Sequence, residues 1–219
     1  IDASSVTALA SSSISNIKTL LTAGNDTNQF SANSFSSLAT VAVSDGVNLD
    51  VSDLVDSIDQ ANTATGKSTA AAGATVFSIN AGITINGGTE ANFESLLTHE
   101  TNGLVSVTNE NLTVGSGTDQ SISVANAILL AATTSGTVTS DIDTTERVDT
   151  LKTLFDAGET HALTIVINAN DATGQTAAEY NAINNATSVA VNAAAVTSIA
   201  ASPISEIDTL LAAAAGGEI

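Results

Sequence analysis

The chain contains no cysteine, methionine or tryptophan, and only one proline in 219 residues. Without cysteine it has neither a disulfide scaffold nor a thiolate metal site, and it is compatible with an oxidising exterior. Basic residues are almost absent: Lys18, Lys67, Arg147 and Lys152 stand against 23 acids, for a net charge of -19. Four cations cannot build the positive surface on which a nucleic-acid binder tracks phosphates. No apolar run reaches the roughly 18 residues of a membrane-spanning helix, so no membrane span is expected. Aromatic residues make up 3% of the chain. Phe30, Phe35, Phe77, Phe93, Phe155 and Tyr180 are spread along it, which reads as core anchors rather than a stacking platform for sugars or bases. The scarcity of proline leaves regular structure unbroken.

What is present is small and polar. Alanine, threonine, serine and asparagine supply about half the residues, far above average usage. With 43% hydrophobic residues and a mean hydropathy of +0.27, the composition is too apolar for a solvated coil. The chain opens at Ile1 without a leader pattern. It reads as a mature product, a processed fragment or a piece of something longer.

The chain repeats itself. Laid without a gap over residues 191–216, residues 1–26 share Ala3, Val6, Thr7, Ala10, Ser12, Ile14, Ser15, Ile17, Thr19, Leu20, Leu21 and Ala23. The helical half of this unit returns at 92–98 and 152–158, with apolar residues at i, i+3 and i+4 along one stripe. A second helical type is expected at 51–61 and 176–186, and weaker helices at 32–39 and 124–132. Runs rich in valine, isoleucine and threonine predict strands at 40–43, 74–79, 83–86, 104–108, 112–114, 162–168 and 188–191.

Strand and short helix therefore alternate from end to end. The expected class is α/β with mostly parallel strands, built as a solenoid of strand–short helix units. A compact α/β domain is the alternative. The reading takes 1–219 as one repeat-built domain with open ends and a possible sub-boundary near 66–73. Open ends expose apolar edges and strand hydrogen-bonding groups that stack on another copy or on more chain. Ile1, Val6, Leu9, Val189, Val191, Val196 and Ile199 are the candidate assembly residues.

The stretch Thr176–Thr187, followed by Val191–Ile199 and echoed by Ile1–Leu9, resembles the long Ala/Thr/Asn/Asp-rich repeat proteins of bacterial, particularly cyanobacterial, cell surfaces. Those are similar to S-layer proteins and giant adhesins. The resemblance covers the two ends of the chain, and the middle departs from the pattern. It implies a secreted structural or adhesive role and carries over no catalytic residue.

Calcium takes six to eight oxygen ligands, and Asp/Asn clusters are the places to seek it. Candidate ligands are Asp45, Asn48, Asp50 and Asp53; Asp141, Asp143 and Glu146; and Asn168, Asn170 and Asp171. A further cluster is Asn25, Asp26 and Asn28. None follows an EF-hand loop, and the same residue types also serve as turn and helix-cap residues. Asp50, Asp53, Asp56 and Asp59 recur every third residue, as a solvated helix face would.

His99 and His161 are expected at the surface, because catalytic zinc takes three protein ligands. Gly66-Lys67-Ser68-Thr69 ends like a phosphate loop, but Ala61 stands where its first glycine belongs. No serine sits in a G-x-S-x-G elbow. Three glycosylation sequons begin at Asn25, Asn111 and Asn185. No enzyme is expected, and calcium is the one cofactor considered. The leading expectation is an extracellular structural protein that self-assembles into a filament, sheath or surface layer. The alternative is a surface adhesin or phage fibre module that binds a cell-surface glycan.

Overall fold

A helix needs an apolar stripe every three to four residues, and a strand needs inward side chains every second residue. Both patterns are realised in short pieces. The computed structural model describes residues 1–26, 29, 34–62, 67, 73–115, 121–154 and 161–219. The chain divides into two compact units, Ile1–Asn111 and Leu112–Ile219. Most of the expected sub-boundary at 66–73 lies outside the described residues.

In the first unit the order is β1 (Ala8–Ser12), α1 (Ile14–Gly24), β2 (Thr40–Val43), β3 (Asn48–Asp50), α2 (Val51–Asn62), β4 (Val76–Ser78), β5 (Thr84–Asn86) and α3 (Glu90–Thr101). β1, β2 and β4 pair in that order, with Ala8 opposite Thr40 and Thr40 opposite Val76. β3 pairs with β5, Leu49 facing Ile85. Each pairing is parallel, so successive strands must be joined by a crossover. The helices supply it, and α2 packs against both α1 and α3. Val41, Leu49, Leu54, Ile58, Ile85 and Leu96 are fully buried.

The second unit holds β6 (Asn111–Thr113) at its entry, then β7 (Ser121–Ile122), α4 (Val124–Thr133), β8 (Val138–Ile142), α5 (Val148–Leu151), β9 (Ala162–Thr164), α6 (Ala177–Asn185) and α7 (Ile204–Gly216). β8 pairs in parallel with β6, β7 and β9. A single parallel bridge joins Val166 to Asn192.

The α/β class with parallel strands is thus as expected. The finer secondary structure differs in places. Residues 104–108 form no strand; Val105 and Val107 are buried in an irregular segment. Residues 34–37 form a turn rather than part of a helix. In it Phe35 adopts φ 65 and lies buried against Gly24, where an added Cβ would overlap the ring. Phe77, Phe93 and Tyr180 are buried anchors; Phe30 and Phe155 lie outside the described residues.

Candidate functional site

Three of the candidate calcium ligands, Asp45, Glu146 and Asp171, are placed by a local need. The first backbone N–H groups of a helix lack partners within it. In four helices one of them is met by a side chain from further along the chain. Ile14 N–H, opening α1, donates to Asp45 Oδ2 at 2.6 Å. Val124 N–H, opening α4, donates to Glu146 Oε1 at 3.1 Å. Val148 N–H, opening α5, donates to Asp171 Oδ2 at 3.0 Å. Ala177 N–H, opening α6, donates to Ser202 Oγ at 2.9 Å. Negative charge at a helix N-terminus also complements the helix dipole. The donor and acceptor are 31, 22, 23 and 25 residues apart in these four bonds, so the spacing recurs without a fixed period.

Asp171 is the most heavily engaged of these carboxylates. Arg147 Nε donates to both its oxygens, at 2.8 and 2.9 Å, and Arg147 also donates to the Asn170 carbonyl at 3.0 Å. Tyr180 hydroxyl donates to the Asp171 carbonyl at 3.1 Å. Burial alone would raise the Asp171 carboxyl. The Arg147 guanidinium and Val148 N–H outweigh it and hold the group below its ordinary value.

The other candidate ligands are dispersed. Asp50 Oδ1 accepts from Ser52 Oγ and Asp53 N–H near the start of α2. Asn48 is exposed on β3 and Asp141 on β8. Asp143 accepts from Ser121 Oγ at 3.0 Å. Asn168 caps the turn at Asn170 and donates to the Thr144 carbonyl. Among the described residues no group of three or more His, Asp or Glu side chains could hold a metal ion. Asn28 lies outside them.

The acid ladder on α2 is more than a solvated face. Lys18 bridges Asp53 at 2.7 Å and Asp56 at 2.8 Å, tying α1 to α2. The two carboxylates raise the lysine well above its ordinary range. Asp59 Oδ1 lies 3.4 Å from His99 Nε2 on α3, within ion-pair reach though not hydrogen-bonded to it. His99 is buried, against expectation, and burial lowers its proton affinity while Asp59 partly restores it. His161 is buried too, and its Nδ1 accepts from Val138 N–H at 3.1 Å. His161 thus supplies the acceptor for a strand N–H, a role that an isolated histidine in a sequence does not reveal. Lys67 donates to the Leu38 carbonyl and to Thr75 Oγ1. Its ammonium thus joins a backbone carbonyl and a side-chain hydroxyl of the first unit. Ser68 and Thr69 lie outside the described residues.

The assembly candidates fall into two groups. Ile1 is 80% exposed, and Val189 and Ile199 are also open to solvent. Val6, Leu9 and Val196 are half-buried. Val191 is buried, with its N–H donated to the Glu218 carbonyl at 2.8 Å. The larger apolar surface is on α7, where Ile204 is 73% and Leu211 61% exposed. The repeat could have pointed there, because the equivalent residues are Ile14 and Leu21. Those two are 3% and 1% exposed. No helix among the described residues is long and apolar enough to cross a membrane.

Comparison with protein-family models, with curated proteins and with solved structures finds no match for this chain.

Proposed function

We propose that this is an extracellular, non-enzymatic structural protein that self-assembles through the open faces of its terminal strand–helix units into a filament, sheath or surface layer. The observation that carries the reading is the exposed stripe on α7. Ile204 and Leu211 are large, apolar and open to water. Their repeat equivalents in α1 are covered by the chain segment that follows. Exposed apolar residues on one face mark an interaction surface. Parallel strand pairing and the four helix caps supplied from later segments support reading the chain as loosely periodic strand–helix units. Sulfur-free, lysine-poor acidity and the resemblance to repetitive cell-surface proteins fit a secreted or surface location.

Calcium is proposed as a counter-ion of the acidic surface that eases repulsion between copies. The cap carboxylates already have backbone donors. Sedimentation velocity and electron microscopy across a concentration series, in calcium and then in EDTA, test the reading. Cooperative growth of ordered assemblies is expected. Small dispersed particles at every concentration would refute it.

The alternative, an adhesin or fibre module, finds its best seat in an open depression of about 320 Å³ beside the end of α6. Asn184, Asn185, Thr187, Ser188 and Glu218 line it with amide, hydroxyl and carboxylate groups suited to a glycan. Glycan-array binding by a monomer would favour that role.

A further inference from the structure

Resting on the assembly reading above, we propose that the joint is head-to-tail between two copies of this chain. The α7 face of one copy receives the β1–α1 face of the next, with residues 197–202 running parallel to Ala8–Ser12.

The argument starts from the equivalence of residues 1–26 and 191–216. They share twelve identical positions, and they also share the turn before and the helix after the segment that in one of them is strand β1. Val6 N–H donates to the Ala3 carbonyl at 3.0 Å, and Val196 N–H to the Ala193 carbonyl at 2.9 Å. Helices begin at Ile14 and at Ile204. The two segments share this turn-to-helix frame, so what covers one copy shows what the other could accept.

Their covered faces are opposite. In α1, Ile14, Ile17 and Leu21 are buried at 3%, 2% and 1% exposure. In α7 the equivalents Ile204 and Leu211 are 73% and 61% exposed, and Ile207 is half-buried. The other flank reverses this. Leu210 and Ala213 of α7 are buried, whereas Leu20 and Ala23 of α1 are half-buried. α1 is covered on the side of the segment that follows it, and α7 on the side of the segment that precedes it. Each lacks what the other has.

The backbone tells the same story. Thr7 and Ser12 offer their carbonyls forward, to Ala39 N–H at 2.8 Å and Ser44 N–H at 2.9 Å. Their equivalents belong to a segment that uses its N–H groups backward: Thr197 and Ser198 donate to the Ala172 carbonyl, and Ala200 to that of Gln175. Among the described residues β1 is the edge strand of its sheet, and an open edge is a template for a further strand. The forward side of 197–202 and the backward side of β1 are therefore complementary.

The cap series adds an independent point. Ala177 N–H donates to Oγ of Ser202, the residue two before the start of the next helix. Ile204 N–H opens α7 without a side-chain acceptor among the described residues. The repeat equivalent of Ser202 is Ser12, at the end of the edge strand β1. Stacking the next copy in register brings Ser12 Oγ to Ile204 N–H and lays the half-buried Leu20 and Ala23 side over Ile204, Ile207 and Leu211. Such a contact is heterologous, so it continues from copy to copy instead of closing as a two-fold dimer.

The absence of cysteine makes the test clean. Two single variants, Ala8→Cys and Ser198→Cys, both at exposed positions, are mixed and treated with a short bismaleimide. Cross-linked pairs containing one of each variant are expected, with little product from either variant alone. Like-with-like products in equal or greater yield would overturn the head-to-tail joint and leave self-assembly standing. Failure of the unmodified chain to form any oligomer in sedimentation would overturn both. Leu211→Asp alters a side chain that the isolated fold leaves in water, so its circular dichroism should match the parent. It is expected to weaken association by at least about tenfold; unchanged association of the folded variant would overturn the proposal.

Discussion

Replacing Asp171 by alanine removes three things at once: the cap on Val148 N–H, the twin hydrogen bonds from Arg147 Nε, and the acceptor near Gln175. The carboxylate is 2% exposed, whereas the guanidinium is 50% exposed and can return to water. The ion pair must therefore be discounted for solvent screening, and the cap weighs more. A lost helix cap costs about 0.5–2 kcal/mol, and hydrogen bonds to a charged group about 1.5–3 kcal/mol before discount. A loss of about 2–4 kcal/mol is expected for Asp171→Ala. At about 4–8 °C per kcal/mol for a domain of this size, the melting temperature of the second unit should fall by about 8 °C or more. Asp171→Asn keeps the shape and loses the charge, so it should lie between the two.

The pH dependence checks the cause. The folded group is held below its ordinary value, so its stabilisation is present above the unfolded value near pH ~4 and is lost as pH falls through the folded one. Wild type and Asp171→Ala should therefore converge in acid. Thermal melts followed by circular dichroism from neutral pH down to about pH 2 measure both quantities. A difference below about 1 kcal/mol at neutral pH, or one that persists unchanged in acid, would refute the reasoning.

Further outcomes follow from other sites. Gly24→Ala places a Cβ into the buried Phe35 ring and should cost about 1–3 kcal/mol by overpacking, read from urea unfolding. His99 is lowered chiefly by burial, with Asp59 opposing; its folded form prefers the neutral ring, so stability of the first unit should decline as pH drops below ~6.5, and His99→Asn should flatten that decline. Glu110 is raised by burial, against backbone N–H groups of Ile83 and Gly82; its contribution is present in acid and lost as pH rises from about 4, so Glu110→Gln should gain on wild type across that range in denaturant melts. Titration with EDTA should leave the melting temperature of the monomer unchanged if calcium acts only between copies, and a fall of several degrees would point to an ion held within a unit.

Much of the element order was legible because it depends on neighbours within a turn or two. Ile14, Ile17 and Leu21 recur at helical spacing, as do Val51, Leu54, Val55 and Ile58, and those helices form at 14–24 and 51–62. Strand β1 was not legible, since Ala8-Leu9-Ala10-Ser11-Ser12 has no β-branched residue and forms through its pairing with β2. Residues 104–108 failed the other way. Their valines alternate like a strand, yet they are buried in an irregular segment whose Leu104 carbonyl accepts the Phe77 N–H. The acids were visible as clusters, but clustering in sequence did not say what they do. Asp45 and Ile14 are 31 residues apart, and only the fold brings the carboxylate to the helix end.

The sequence by itself determined the α/β alternation, the exclusion of basic and thiolate chemistry, and the equivalence of the two terminal segments. These follow from composition and short-range periodicity, which operate within a few residues. The tertiary structure decided which carboxylate caps which helix, why both histidines are buried, and why identical side chains meet different fates. Ile14 and Ile204 are equivalent in the repeat and each opens its helix, yet one is 3% and the other 73% exposed. Helix formation depends on the residue and its near neighbours, whereas burial depends on whether another segment, distant in the chain, comes to lie over it.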